Sequence, residues 1–312
     1  MGTPQQLNYY RLQEETTFAT APAGTWIGFS PDEFSLEVEN ELDDGNKLTG
    51  TLDRPFRDIV RQNLNGSLTT QIWPDNAAEI LNRMIGIGTD AAGTGGRKAD
   101  AGSNLVLGRS YTIDHYHNAR NEYLRHLGVM CNQATLSCTS TDPKLKAALD
   151  LLGQSETTTP TFTRPTMPAQ ASFELSDMTL TIDSVSEPNI TGFEIQINNN
   201  LDLGGFRNTS RQVRWIDSGV RDITLRFDVR INSDNAIDYR NIMRGRDTNT
   251  RFSATFNYPG TGSPIDSVVI TIPDAIMRRV AKPTGSRDLS AYTIECEVKR
   301  PAAAEAMTIL IT

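Results

Sequence analysis

The feature that most constrains this chain is that it repeats itself. Asp75-Asn76-Ala77-Ala78-Glu79-Ile80-Leu81-Asn82-Arg83-Met84-Ile85-Gly86 returns as Asp234-Asn235-Ala236-Ile237-Asp238-Tyr239-Arg240-Asn241-Ile242-Met243-Arg244-Gly245, a shift in numbering of 234 − 75 = 159. Both copies read as a short helix: an Asp N-cap, an acidic side chain near the positive dipole end, and a closing Gly that supplies φ > 0. The same shift carries Phe34-Ser35-Leu36-Glu37-Val38-Glu39-Asn40-Glu41-Leu42-Asp43 onto Phe193-Glu194-Ile195-Gln196-Ile197-Asn198-Asn199-Asn200-Leu201-Asp202 without a gap between the two anchors. Leu68, Thr70 and Ile72 then fall on Phe227, Val229 and Ile231, so strand alternation stays in phase. Extended to the ends, residues 1–153 overlay 160–312, and the chain reads as one domain written twice. The expected division is 1–153, a Thr/Pro-rich linker at 154–166, and 167–312.

Each half reads as mostly antiparallel strands with one short α-helix, a mainly β class that suits a sandwich or open barrel. In Phe34–Leu42, Leu36, Val38 and Leu42 share one face, while Glu37, Glu39 and Glu41 share the other. Three carboxylates in a row repel one another, so stability alone does not choose them. They form either a solvated outer face or an acidic lining. The second copy keeps the pattern with amides, Gln196, Asn198 and Asn200, opposite Ile195, Ile197 and Leu201. Residues 43–65 predict a long excursion, a loop or an irregular hairpin, carrying Arg54, Arg57 and Arg61. Its copy at 202–222 carries Arg207, Arg211, Arg214 and Arg221. Excursions of this length in a compact domain are usually functional or partner-bound. Further strands are expected at 66–73, 111–117 and 128–139, and in the second half near 171–182, 251–258, 267–272, 290–299 and 307–312. Lys144–Leu152 favours helix by residue type but alternates. Its copy under the shift ends in Met307-Thr308-Ile309-Leu310-Ile311-Thr312, which is plainly β, so 144–152 is expected to be a strand.

Hydrophobic content of 38% and charged content of 22% describe a globular chain with a core. The net charge of −8 argues against a surface that grips nucleic-acid phosphates, though not against one that lets nucleic acid pass. No apolar run is long enough to span a bilayer, and Met1–Gln6 has no signal-peptide character. The Asn-x-Ser/Thr sites at Asn65, Asn189 and Asn208 are therefore read as chance. Cys131, Cys138 and Cys296 are expected to be reduced, buried thiols.

No catalytic, cofactor or metal set stands out. Gly-x-Ser-x-Gly, His-Glu-x-x-His and Cys-x-x-Cys are all missing from the sequence. The Gly/Ala-rich stretch 86–102 contains Gly-Thr-Gly-Gly-Arg-Lys, but Arg97 separates Gly96 from Lys98 and Ala99 follows, so it is not a phosphate loop. It is expected to be a mobile loop and a local insertion. His115 and His117 share a strand face without a third ligand of fitting type nearby, and read as surface histidines.

Four segments in this order resemble the tail tube proteins of long-tailed bacteriophages, specifically the larger, duplicated type: Glu14–Thr20; Gly66–Trp73 with the Asp75–Gly86 helix; Thr191–Leu201; and Val268–Pro273 before a terminal β pair. The resemblance implies a structural virion protein of the phage tail, made in the host bacterial cytoplasm. Its subunits form rings that stack into a hollow tube through which the genome passes. Related single-domain proteins form rings of six, so a duplicated chain implies three copies with pseudo-six-fold symmetry, carrying 3 × (−8) = −24 per ring. Implied partners are further copies of the chain, tail tip or baseplate, tape measure and tail terminator proteins, and genomic DNA in transit without sequence-specific binding. On this reading Glu37, Glu39, Glu41, Gln196, Asn198 and Asn200 face the lumen. Arg54, Arg57, Arg61, Arg207, Arg211 and Arg214 serve ring stacking. Two other readings share parts of the pattern. One is the inner tube of a phage-derived injection particle or tail-like bacteriocin. The other is a carbohydrate-binding β-sandwich, for which Trp26, Trp73 and Trp215 are too scattered to make a platform.

Overall fold

The computed structural model describes residues 8–24, 26–44, 57–85, 89–90, 110–117, 122–158, 172–206, 211–230, 239, 251–259, 267–281, 291–299 and 306–311. These residues are mainly β. The first half contains β1 (Tyr9–Glu14), β2 (Ile27–Phe29), β3 (Glu33–Asp44), β4 (Arg57–Gln71), β5 (Thr89–Asp90), β6 (Tyr111–His117), β7 (Glu122–Thr139), β8 (Lys146–Gly153) and β9 (Ser155–Thr158). The second contains β10 (Thr179–Ile182), β11 (Val185–Ser186), β12 (Ile190–Asn198), β13 (Leu201–Phe206), β14 (Val213–Ser218), β15 (Asp222–Arg230), β16 (Arg251–Pro259), β17 (Ser267–Ala281), β18 (Ala291–Val298) and β19 (Thr308–Ile311).

One antiparallel sheet runs through both halves in the order β3-β4-β8-β7-β12-β15-β18-β17. Its buried side carries the alternate apolar residues that the sequence pattern predicts, among them Leu36, Leu68, Leu149, Leu136, Ile195 and Leu225. The long strands β7 and β17 continue beyond this sheet into a second layer. There β7 pairs with β6 and β9, and β17 with β16 and β19. A strand shared by two layers makes a corner, and the layers enclose one core. β7 turns at Gly128, whose φ is +67°. An added Cβ there would lie 3.0 Å from the Phe18 ring and from Gln154 Cβ, so the bend requires glycine.

The pairings recur. β12–β15–β18–β17 is bonded in the order of β3–β4–β8–β7, and β10–β16–β17–β19 follows β1–β6–β7–β9. Phe34 faces Leu68, and Phe193 faces Phe227, so both partners obey the shift found in the sequence. Beyond the helix the single shift fails. Leu68 pairs Leu149, whereas Phe227 pairs Ile294, so β18 and not Met307–Thr312 stands where β8 stands. β19 takes the place of β9. Ile113 opposite His126 corresponds to Ala254 opposite Ile272, and Ile113 to Ala254 is a shift of only 254 − 113 = 141. The segment between β4 and β6 in the first half is therefore longer than that between β15 and β16 in the second, by 159 − 141 = 18. That excess is about the length of the Gly/Ala-rich stretch. Of that stretch only Thr89 and Asp90 are described, paired in parallel with Leu310 and Ile311.

Lys144–Leu152 is strand from Lys146, as its alternation predicts. Ser155–Thr158, expected to open the linker, instead pairs with β7. The remainder of the linker lies outside the described residues.

The first helix differs from its expected form. It begins at Pro74, so Asp75 is already helical and Trp73 is the cap. The Trp73 carbonyl accepts from the Asn76 and Ala77 amides at 3.1 and 2.9 Å. Asn76 Oδ1 accepts the Trp73 amide at 2.9 Å, reaching back from the third helical position as a capping-box side chain does. Proline suits the first helical position because its missing N–H has no intrahelical role there. From Ala78 to Met84 the turn widens to a π-helix that buries Ile80, Leu81, Met84 and Ile85. Gly86 lies outside the described residues, as does the second helix apart from Tyr239, which is helical and donates to Glu187 Oε2 at 2.7 Å.

Candidate tube-forming surface

The solvent side of the long sheet is mainly polar, although the Glu37–Asn65 row runs on into Leu152 and Met130, which the β13–β14 pair covers, and the row through Glu297 ends at Ile276. One row of facing residues reads Glu33, Thr69, Ala148, Thr135, Gln196, Thr224 and Glu297 across β3-β4-β8-β7-β12-β15-β18. The next reads Ser35, Ser67, Asp150, Gln133, Asn198 and Asp222. Glu37 follows Ser35 in the same phase, opposite Asn65, and Glu39 lies opposite Asn63. Glu37, Glu39, Gln196 and Asn198 therefore share one continuous face, although they come from separate halves. Glu41 lies further out, opposite Arg61 and 3.7 Å from its guanidinium.

Asn200 does not continue this alternation. β12 ends at Asn198, and Asn200 takes φ +48°. Its amide group donates to the Val220 carbonyl and, at 3.1 Å, to Asp222 Oδ2. Short polar side chains tolerate this left-handed conformation, so the strand breaks at an asparagine.

Cations on the face sit beside carboxylates. Lys146 Nζ is 2.6 Å from Asp142 and 3.6 Å from Asp32, and the hydrogen bond to Asp142 raises its pKa. Arg279 is 3.7 Å from Glu295, and Arg226 lies between Glu194 and Glu295 in the cross-strand register. Such a surface offers phosphates few uncompensated charges to bind.

The two excursions are both hairpins. The first is the outer part of β3 and β4, paired from Val38–Leu64 out to Asp44–Arg57. The second is the separate pair β13–β14. They touch: the Gln62 amide donates to the Arg211 carbonyl at 3.1 Å, and Gln62 bridges Gln212 in parallel. Arg61 and Arg211 are thereby brought together. Arg214 is exposed and stacks over the Trp215 ring at 4.9 Å. Arg57 lies in β4, but its side chain is outside the described residues, as are Arg54 and Arg207 entirely.

The other sequence candidates have structural roles. His115 stacks on Tyr10 with ring centroids 4.5 Å apart and lies 5.8 Å from His117. Burial, then the nearby His126 and His117, push its pKa down to about 4. Among the described residues no group of His, Cys, Asp or Glu is arranged to hold a metal. The three cysteines are free and buried, and burial pushes their thiols up to about 12, 11 and 12 for Cys131, Cys138 and Cys296. They are unreactive as thiolates at neutral pH. Asp114, fully buried, accepts two bonds from Arg11 on Oδ2 and a bidentate pair from Arg125 on Oδ1 and Oδ2, with Trp26 against the two guanidiniums. This network fixes β1, β6 and β7 to one another.

A model of the family described as phage tail tube protein matches residues 6–298. The chain belongs to the phage tail tube protein family. As a tail tube protein it is a structural component of the virion tail that assembles with itself and with other tail components. No curated protein matches the chain. Among the described residues, no helix is long and apolar enough to cross a membrane.

Sequence reading missed one pair of residues. Asn40 and Asn199 are identical under the shift that relates the two halves. Asn199 is buried where the two halves meet: its Nδ2 donates to the Cys131 carbonyl at 2.8 Å and its Oδ1 accepts from Arg221 Nε at 2.7 Å. The signal was present, an amide retained in both copies on the apolar side of the strand.

Proposed function

We propose that this chain is the repeating unit of a genome-conducting tube, with two duplicated tube domains joined after β9 and three copies in each ring. The observation that carries the reading is the eight-strand sheet that passes through both halves with a mainly polar face on one side. Three such sheets joined edge to edge form a closed barrel, and closure removes strand edges that would otherwise aggregate. The polar face then lines the lumen, with Glu37, Glu39, Gln196 and Asn198 on its wall and Glu41 and Asn200 at its margin. Negative charge and compensated cations favour sliding of DNA over binding. The two hairpins, joined through Gln62 and Arg211, contact the next ring, and this head-to-tail contact generates a filament. Tail tip, tape measure and terminator proteins would meet the ends and interior of that filament.

The test is electron imaging of the purified protein at rising concentration, followed by Glu37→Lys/Glu39→Lys/Glu41→Lys in infectious particles. The expected result is hollow tubes with three-fold rings, and normal tubes but blocked genome delivery in the variant. Normal infectivity in the variant would remove the lumen assignment. Rings of six whole chains would remove the stoichiometry.

A further inference from the structure

Among the described residues the long sheet ends at β3 and at the outer part of β17, and these ends correspond to the two strands that already pair with each other inside the chain. β12 corresponds to β3 by the shift found in the sequence. β7 corresponds to β17 at a shift of 280 − 134 = 146: Ala134 faces Leu149, and Val280 faces Ile294. A bulge between Cys131 and Gln133 recurs between Met277 and Arg279, at the same offset. Inside the chain β7 pairs with β12, from Gln133–Asn198 to Thr139–Gly192. Among the described residues β3 pairs only with β4, and β17 beyond Ile276 pairs only with β18. Resting on the tube reading above, we propose that β17 of one copy pairs antiparallel with β3 of the next in the register of the internal β7–β12 seam. Arg279 then faces Glu39, Val280 faces Val38, and Ala281 faces Glu37.

Several independent features of β3 fit a partner of this kind. Val38 and Leu42 are 37% and 49% exposed, whereas their counterparts Ile197 and Leu201 are fully buried and packed on the Met130–Val213–Ile216 cluster, respectively. Asn40 is preset. Gln62 Nε2 donates to its Oδ1 at 3.1 Å, as Arg221, the counterpart of Gln62, does to Asn199. Its Nδ2 is thus directed to a neighbour's Met277 carbonyl, the counterpart of Cys131. Charge is complementary as well. Arg278, which takes the bulge position of Asn132, is 73% exposed by side chain, and Arg279 is 66% exposed. In the internal seam Asn132 receives the Asn199 and Leu201 amides at 2.8 and 3.0 Å, so Arg278 would lie against Asn40–Leu42 with Glu41 between them. The ladder so proposed covers Arg279–Ala281, where β17 ends, and the sequence goes on with Lys282 and Pro283, of which the proline has no N–H to give.

Cysteine pairing tests the register. Chains bearing only Val38→Cys are mixed with chains bearing only Val280→Cys, assembled and oxidised; Glu37→Cys with Ala281→Cys is run in parallel, because neighbouring antiparallel pairs alternate between wide and narrow spacing. Ser35→Cys with Arg279→Cys is the out-of-register control. Covalent dimers are expected from at least one in-register mixture, and none from the control or from an unmixed variant. Tubes that form yet cross-link in neither in-register mixture, or that cross-link in the control, overturn the seam. Wild-type protein that forms neither rings nor tubes overturns the tube reading itself. In a second measurement Arg279→Glu raises the concentration needed for assembly several-fold, and Arg279→Glu/Glu39→Arg restores it. Failure of the double variant to recover any assembly also counts against the pairing.

Discussion

The two hairpin arms start from the same register and end differently. In the first, Leu42 faces Ile59 and Asp43 faces Asp58; in the second, their counterparts Leu201 and Asp202 face Ser218 and Asp217. Yet the first arm continues β3 and β4 past a bulge at Glu41, while the second breaks from its sheet after Asn198 and becomes the separate β13–β14 pair. Two positions account for this. Glu41 and Val60 in the first arm become Asn200 and Gly219 in the second. Asn200 takes the left-handed conformation, and Gly219 donates its amide to the Asn200 carbonyl at 2.9 Å. A Cβ on residue 219 would lie 2.8 Å from that oxygen, so the kink needs glycine. The bent arm lays Val213 and Ile216 on Met130, Leu152 and Phe18 of the first half. The straight arm leaves Val38, Leu42 and Val60 exposed. One arm thus completes its own chain, and the other remains open to a second chain.

The comparison can be broken most severely at the root of the straight arm. Gly66 faces Leu36, and a Cβ there would sit 1.6 Å from the Ser35 carbonyl oxygen, whereas its counterpart in the second half is Leu225. Gly66→Ala should cost about 4 kcal/mol in denaturant unfolding, because backbone must move to admit it. Removing the cover beneath the bent arm comes next. Ile216→Ala should cost about 3 kcal/mol, as for other buried large-to-small changes. Leu42→Ala in the straight arm should cost well under ~1 kcal/mol in the unassembled chain, since its side chain is half exposed. Equal losses at the two sites would mean that both arms are covered alike. Gly219→Val should cost about 2 kcal/mol and selectively release β13–β14 amides to hydrogen exchange, with β3–β4 unaffected.

The smallest expected effect separates the halves by pH. His115 in the first half has its pKa lowered to about 4 by burial, so the unfolded chain binds its proton more readily. The stability it contributes is present above about pH 6.5 and is lost as pH falls through that window towards 4. Glu156, lowered chiefly by its hydrogen bond to His126, acts in the same direction at lower pH. Melting followed from pH 7 to 4 should show a loss of about 1 kcal/mol from His115, discounted for its partial exposure. His115→Phe should flatten that slope; an unchanged slope would place its origin elsewhere.

Much of this was legible in the residues. The alternation of Phe34–Leu42 and Phe193–Asn198 fixes which side chains share a face, because the strand period is two and cannot slip without exposing Leu36 and Ile195. The repeat placed β12 and β15 as counterparts of β3 and β4, and the residue-type pattern gave a mainly β chain. The cap at Trp73 was less accessible, since Asp75 and Asn76 are both good caps and only the position of Pro74 in the first turn decides between them. The failure of the single shift after the helix was hidden for a related reason. The difference between the halves, 159 − 141 = 18, is even, and an even insertion leaves a period of two in phase.

What the sequence determined by itself is therefore local: which residues are strand, which faces are polar, and that the pattern occurs twice. Tertiary structure alone decided which strands meet. Pairing β7 with β12, and so fusing two polar faces into one surface, depends on contacts between positions far apart in the chain, such as Gln133 and Asn198. No local preference encodes such a contact; it forms because unpaired strand edges and exposed apolar faces are costly, and the partner that satisfies both is set by the whole fold.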